Sequence, residues 1–190
     1  MVACLALVAG SAAISVWHAV HGSTFGARAW PSAWDMALTF LLTGGIPFLW
    51  LVRTRARPIA GTLDYLRLRN LGKAAPWGVA LGVAMAVVAM VALRTLPGPL
   101  PSVATFIRVG LFFGVMAPLG EEILFRGILQ PRIGVLAQAA AFAIMHVAGV
   151  TPLQGVLVLL FGIALGLAAK RWGLWTSIVA HGTYNLVALL

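Results

Sequence analysis

Long apolar runs, separated by short charged or Pro- and Gly-rich breaks, occupy most of this 190-residue sequence. A helix needs about 20 mostly apolar residues to cross a bilayer, and a chain in lipid must satisfy its backbone polar groups internally. Because 62% of the residues are hydrophobic and only 9% are charged, the composition lies outside the range of soluble domains. The sequence predicts an all-α fold, a polytopic transmembrane helix bundle of about seven spans. The candidate spans are residues 2–20, 32–52, 76–93, 104–128, 134–149, 152–169 and 173–190.

The basic residues of the loops predict how this bundle is oriented. With a cytoplasmic N-terminus, most loop Lys and Arg residues lie on the inner side, as the positive-inside rule requires. The inner loops then contain Arg53, Arg55, Arg57, Arg67, Arg69, Lys73, Arg132, Lys170 and Arg171, and the outer loops contain Arg28 and Arg94. We therefore expect an integral membrane protein with a cytoplasmic N-terminus, and the Ala-, Gly- and Arg-rich composition favours a bacterial inner membrane.

The spans divide into two parts of one integral domain. Residues 1–103 are expected to form N-terminal transmembrane helices and a basic cytoplasmic loop with a short amphipathic helix around Leu63 to Leu71. Residues 104–190 are expected to form a catalytic core of four membrane helices. The segment 2–20 lacks the charged leader of a cleaved signal, so we interpret it as a retained span. The net charge of +9 does not indicate nucleic-acid binding, because the basic residues lie in loops; membrane lipid is the expected partner.

A pair of adjacent carboxylates interrupts the fourth apolar run. Glu121 and Glu122 lie there in a chain whose other acidic residues are Asp35 and Asp64. An ionisable side chain at membrane depth is costly, so such residues usually face the bundle interior and mark a functional site. Arg126 follows Glu122 by four residues on the same side of a helix. We therefore expect Arg126 to neutralise Glu122 and to leave Glu121 available to react.

Three further polar residues fall inside apolar spans: His146 in the fifth, and His181 with Asn185 on one face of the seventh. At a rise of about 1.5 Å per residue, a hairpin turn near residue 133 places Glu121 level with His146. Counting into the seventh span from about residue 172 places His181 and Asn185 within roughly 6 Å of that depth. Each residue alone could be an interhelical hydrogen-bond contact. Their shared depth favours one polar site near mid-bilayer, between spans four, five and seven.

A carboxylate, two imidazoles and a carboxamide around one buried point suit hydrolysis. Glu121 could take a proton from water, and His146 could hold the same water or return the proton. His181 and Asn185 could donate hydrogen bonds to the oxyanion that forms when a carbonyl is attacked. The sequence places no serine or cysteine comparably beside a histidine.

These residues also carry a resemblance to a known family. The segment Glu121–Arg126 reads E-E-x-x-x-R, Phe142–His146 reads F-x-x-x-H, and His181–Asn185 reads H-x-x-x-N, each in its own apolar span. In this order they resemble the three signatures of the CAAX-protease and bacteriocin-processing (CPBP or ABI) family of intramembrane endopeptidases. The resemblance covers roughly residues 104–190, and the earlier spans resemble the family only in being hydrophobic.

The resemblance implies a role for each matching residue. Glu121 would be the general base, His146 would hold the attacking water with it, and His181 with Asn185 would form the oxyanion hole. The implied supporting residues are Glu122 and Arg126, which would orient and stabilise the site, and Phe142, which would pack its wall.

The use of a metal is an open alternative at this stage. Glu121, His146 and His181 could ligate zinc, which accepts nitrogen and oxygen ligands and keeps an open position in catalytic sites. The sequence has no H-E-x-x-H pair to place two imidazoles on one helical turn, so we favour a metal-free reaction without a cofactor.

The function expected from the resemblance is hydrolysis of a peptide bond in a membrane-associated or lipidated substrate, a peptide or a lipidated protein. The alternative is a non-catalytic membrane scaffold or immunity protein of the same family that binds a peptide or partner in the same cavity. A proton-coupled carrier is a third class, but the chain lacks the inverted repeat that transporters often show. The oligomeric state stays unknown at this stage.

Overall fold

The computed structural model describes residues 33–54, 59–68, 71–94, 102–146 and 150–188. The predicted first span, residues 2–20, lies outside them, as do Arg28, Arg55, Arg57 and Arg69. The regular structure in the described ranges is entirely helical. The α-helices are α1 (Ala33–Phe40), α2 (Ile46–Thr54), α3 (Ile59–Tyr65), α4 (Leu71–Leu93), α5 (Val103–Leu111), α6 (Ala117–Glu122), α7 (Gln130–Met145), α8 (Pro152–Trp172) and α9 (Leu174–Ala188).

Three π-helical segments connect some of these helices without a break. They are the first π segment (Leu41–Gly45) between α1 and α2, the second (Phe112–Met116) between α5 and α6, and the third (Ile123–Leu129) between α6 and α7. A π turn inserts an extra residue into the helical repeat, so it rotates the following side chains relative to an uninterrupted α-helix.

Four described stretches are long and apolar enough to cross a bilayer. Helix α9, with 15 residues, is about 22 Å long and shorter than the roughly 30 Å hydrocarbon core. The described residues therefore form an all-helical membrane bundle with four candidate spans, and the total of about seven stays a prediction. The four are Ala37–Thr54, Leu71–Leu93, Val109–Met145 and Pro152–Trp172.

The chain reverses direction at Gly134, within the stretch assigned to α7. Gly134 has φ 83° and ψ 170°, a backbone conformation that L-residues with a side chain rarely adopt. In a straight helix, Glu121 and His146 would lie about 37 Å apart at 1.5 Å per residue, yet their side chains approach to 3.8 Å. The hairpin expected near residue 133 is therefore present, and the arm after Gly134 packs antiparallel to α8.

Helix α9 packs closely between α4 and the second π segment. A Cβ added at Gly78 or Gly82 of α4 would overlap atoms of α9, and one at Gly182 of α9 would overlap the carbonyl of Gly114. In lipid, helices associate through such close packing of small residues, because the acyl chains are as apolar as the side chains. These contacts fix the position of the helix that carries His181.

The short helix in the basic loop is not where the sequence placed it. An amphipathic helix was expected around Leu63 to Leu71, but α3 ends at Tyr65 and a turn follows in which Arg67 has φ 56°. The indole of Trp175, at the start of α9, donates a hydrogen bond to the Leu68 carbonyl. Tertiary contact with α9 therefore replaces the continued helix that the local sequence pattern indicated.

Six of the described basic residues gather at one end of the bundle. Arg67 Nη1 donates to the Lys170 carbonyl over 3.2 Å, and the Arg132 guanidinium lies 5.4 Å from the centroid of the Trp50 indole. We call this the basic end; it carries Arg53, Arg67, Lys73, Arg132, Lys170 and Arg171.

Candidate active site

Glu122 is the centre of a buried ion-pair network. Its side chain is fully buried, and its Oε1 accepts hydrogen bonds from Arg126 Nη1 at 2.8 Å and from His181 Nδ1 at 2.9 Å. Bonds between ionised groups are about twice as strong as neutral ones, and burial removes the screening by water. The network therefore joins the π segment that contains Arg126 to α9, and the structure places Arg126 on Glu122, as the spacing predicts.

Arg126 also holds α8 and the hairpin arm against the network. Its Nη2 donates to the Gly162 carbonyl over 3.2 Å, and its Cζ lies 4.3 Å from the ring centroid of Phe142, within cation–π distance. Gln138 Nε2 donates to the same Gly162 carbonyl over 3.1 Å. A single carbonyl of α8 thus accepts hydrogen bonds from two side chains that lie on different helical segments.

Glu121 lies next to this network and has different neighbours. Its Oε2 is 3.8 Å from His146 Nε2 and 3.9 Å from His181 Nε2. Both separations exceed a direct hydrogen bond. A water oxygen beside either pair, at the apex of a triangle, could lie about 2.8 Å from both atoms. The structure thus brings three of the four predicted catalytic side chains to one point.

The second ring nitrogen of each histidine is already engaged. His146 Nδ1 lies 2.9 Å from the Phe142 carbonyl, which can only accept, so Nδ1 carries the proton. His181 Nδ1 likewise donates to the Glu122 carboxylate. In the neutral form of either ring, Nε2 therefore has a free lone pair directed towards Glu121.

Phe142 forms the apolar wall on one side of the site. Its ring centroid lies 4.4 Å from that of His146, 5.8 Å from that of His181 and 5.2 Å from that of Phe125. The ring thus lies between the polar centre and the neighbouring core.

Asn185 lies one turn beyond His181 and makes a contact between helices. Its Nδ2 donates to the Phe113 carbonyl in the second π segment over 2.9 Å. The carboxamide has a second N–H bond, so this contact fixes its orientation without using both donors.

Exposure differs among the three converging side chains. Glu121 and His181 side chains are 9% and 8% exposed, whereas the His146 side chain, at the end of α7, is 33% exposed. His146 is therefore the most exposed of the three, at the end of the hairpin arm opposite the turn at Gly134.

Comparison with known protein families identifies the region that contains the site. Residues 103–187 match the family model described as type II CAAX prenyl endopeptidase Rce1-like. This region belongs to the CAAX protease family. No curated protein and no solved structure matches the chain. All seven predicted site residues lie within the CAAX protease region, and their individual catalytic roles stay predictions.

Two polar residues of the CAAX protease region were missed by the sequence analysis. Gln138 is fully buried and precedes Phe142 and His146 at four-residue intervals, so its position on their helix face was readable from the spacing. Ser177 is fully buried one turn before His181; its hydroxyl donates to the Leu174 carbonyl at 2.9 Å and interacts with Glu122.

The donors of the site include candidate metal ligands. Glu121 and the Nε2 atoms of His146 and His181 are of the types that zinc binds, and each Nδ1 bonds an acceptor, as in the outer shell of metal sites. Among the described residues, no group of three His, Cys, Asp or Glu side chains has the spacing of a preformed metal site. These side chains would have to move closer together to bind an ion.

Proposed function

We propose that this chain is an intramembrane endopeptidase that hydrolyses a peptide bond of a membrane-associated or lipidated substrate with water activated by Glu121. The observation that carries the proposal is the approach of two imidazole Nε2 atoms to one buried carboxylate. Its setting in a region that matches a CAAX endopeptidase family supports the reaction class. The candidate spans support a substrate that reaches the site from the membrane.

The first step is attack of water on the scissile carbonyl carbon. Glu121 removes a proton from the water as the new C–O bond forms. His146 accepts at Nε2 a hydrogen bond from the second O–H group of the same water, which stays on the oxygen, because its Nδ1–H bonds the Phe142 carbonyl. The two side chains thus orient one water oxygen for attack.

The second requirement is stabilisation of the oxyanion. His181 in its imidazolium form donates from Nδ1 to Glu122 and from Nε2 to the developing negative charge. Asn185 contributes the N–H bond that does not contact Phe113. Collapse of the tetrahedral intermediate breaks the C–N bond, and protonated Glu121 returns its proton to the leaving amine. The products are a carboxylic acid and an amine, and Glu121 is a carboxylate again.

The central test compares purified variants on a library of lipidated peptides in detergent. We expect products with the wild type and at least a 100-fold lower rate with Glu121→Gln, since a positioned general base typically contributes about 10²–10⁴-fold. Asp64→Asn is the matched control, because it converts an exposed carboxylate of α3 to an amide. Its rate should equal that of the wild type.

Two results of this test would contradict the proposal. Equal product formation by Glu121→Gln would remove Glu121 as the base. Full biological activity of Glu121→Gln in cells, with no peptide cleaved by either protein, would favour the non-catalytic scaffold instead.

A chelator distinguishes the two ways of activating water. With glutamate activation alone, incubation with a zinc chelator leaves the rate unchanged. Loss of activity that added Zn²⁺ restores would assign Glu121, His146 and His181 as metal ligands and overturn the metal-free mechanism.

A further inference from the structure

A cavity of about 430 Å³ opens at the basic end, away from Glu121. The turn after α3, the start of α7, the last turn of α8 and the start of α9 form its walls. Its volume falls within the range of small-ligand sites. Much of its surface is apolar, contributed by side chains such as Leu66, Val135 and Leu174.

Cationic side chains dominate the polar part of this cavity. Arg67 and Lys170 lie exposed at its rim, and Arg126 forms part of its buried wall. No carboxylate is among its described lining residues. Glu122 offsets the charge of Arg126, so the net positive charge of the cavity comes from the rim. Such a site attracts an anion at its opening.

The position of the cavity identifies where such a ligand comes from. Helix α8 has 21 residues and is about 31 Å long, close to the thickness of the hydrocarbon core. Because Ala169 and Lys170 in its last turn line the cavity, the cavity lies at the level of the lipid headgroups. Trp172 and Trp175 flank this level, as interfacial aromatic residues do.

We propose that this cavity binds the headgroup of an anionic phospholipid. The phosphate lies between Arg67 and Lys170. The apolar wall contacts the glycerol backbone and the first acyl carbons.

The test measures lipid binding by the purified full chain in detergent, using native mass spectrometry. We expect one short-chain phosphatidylglycerol to bind in preference to phosphatidylcholine. Lys170→Gln should weaken phosphatidylglycerol binding about fivefold, and the double variant Arg67→Gln/Lys170→Gln about 25-fold. Arg171→Gln is the matched control, because it removes a charge from the same turn of α8 outside the cavity; its affinity should stay within about twofold of the wild type.

The control arms separate a headgroup site from general charge attraction. An equal loss of affinity in Arg171→Gln and Lys170→Gln would overturn the proposal, as would equal binding of phosphatidylcholine. Full competition by inorganic phosphate would assign the cavity to a free anion instead of a lipid. The unfolding temperature of each variant is also measured with and without phosphatidylglycerol, and the rise caused by the lipid is compared between variants. That rise should fall in Lys170→Gln even if the variant is less stable.

Discussion

Two adjacent glutamates of this chain have different surroundings, and the difference separates structure from chemistry. Glu122 is fully buried and shares one oxygen between Arg126 and His181. Glu121 instead faces two Nε2 atoms at distances longer than a direct hydrogen bond, so its carboxylate can still bond a water molecule. The sequence could predict this division, because the four-residue spacing to Arg126 selects Glu122 as its partner.

Replacing Glu122 should affect stability more than replacing Glu121 does. Glu122→Gln removes the charge that Arg126 and His181 share and leaves a buried guanidinium without a counterion. Breaking a buried ion pair in this way costs about 3–5 kcal/mol. We expect a clearly lower unfolding temperature in detergent for Glu122→Gln, and one within a few degrees of the wild type for Glu121→Gln. Equal unfolding temperatures of Glu122→Gln and the wild type would show that the network does not stabilise the fold.

Other contacts of the site could not be read from the sequence. The spacing gave the helix face of Asn185 but not its bond to the Phe113 carbonyl, because that acceptor lies on another helix whose position the spacing does not specify. Ser177 also shares the face of His181, but a serine in an apolar helix often only bonds a backbone carbonyl of its own helix, so its presence there does not indicate a site. The pattern of polar and apolar residues indicates which side chains face the bundle interior. Their contact partners depend on how the helices pack, which the pattern does not give.

At the scale of elements, the hairpin at Gly134 brings the first two signatures together. Pro131 and Gly134 allowed the turn to be expected near residue 133, because both interrupt a helix. The three π segments were not predictable, since the counting of depth and faces assumed a uniform repeat of 3.6 residues. The prediction that Glu121 and His146 lie at the same depth did not depend on that repeat, because a hairpin pairs residues at equal distances from its turn.

Gly134→Ala should uncouple the two arms of this hairpin. A Cβ at Gly134 would meet no atom within 4 Å, so its effect comes only from the positive φ of 83°. Holding such a conformation costs a residue with a side chain about 1–3 kcal/mol. We expect lower stability and a reduced rate of peptide cleavage, because His146 shifts relative to Glu121.

Gly155→Ala is the matched control for the Gly134 variant. Gly155 lies in α8, and a Cβ there would also meet nothing within 4 Å. In a regular helix, alanine is favoured over glycine by up to about 1 kcal/mol. Gly155→Ala should therefore keep the wild-type rate and be at least as stable. Equal behaviour of the two variants would show that the backbone conformation at Gly134 does not control the site.

At the scale of the whole molecule, the bundle has two different ends. The described basic loop residues gather at the end where α4 and α9 begin, and Arg94 lies at the other end of α4. Composition and loop charge were enough to predict the membrane class and this asymmetry. They could not predict the close glycine contacts around α9, because small residues are common throughout apolar helices.

The asymmetry predicts that the basic end is cytoplasmic, which labelling of introduced cysteines in intact cells can measure. In a Cys4→Ser background, Ser102→Cys lies beside the start of α5 at the end opposite the basic residues, and Arg171→Cys lies at the basic end. A membrane-impermeant thiol reagent should label Ser102→Cys in intact cells and Arg171→Cys only after the membrane is opened. The reverse pattern would invert the bundle. It would also place the proposed headgroup cavity in the outer leaflet.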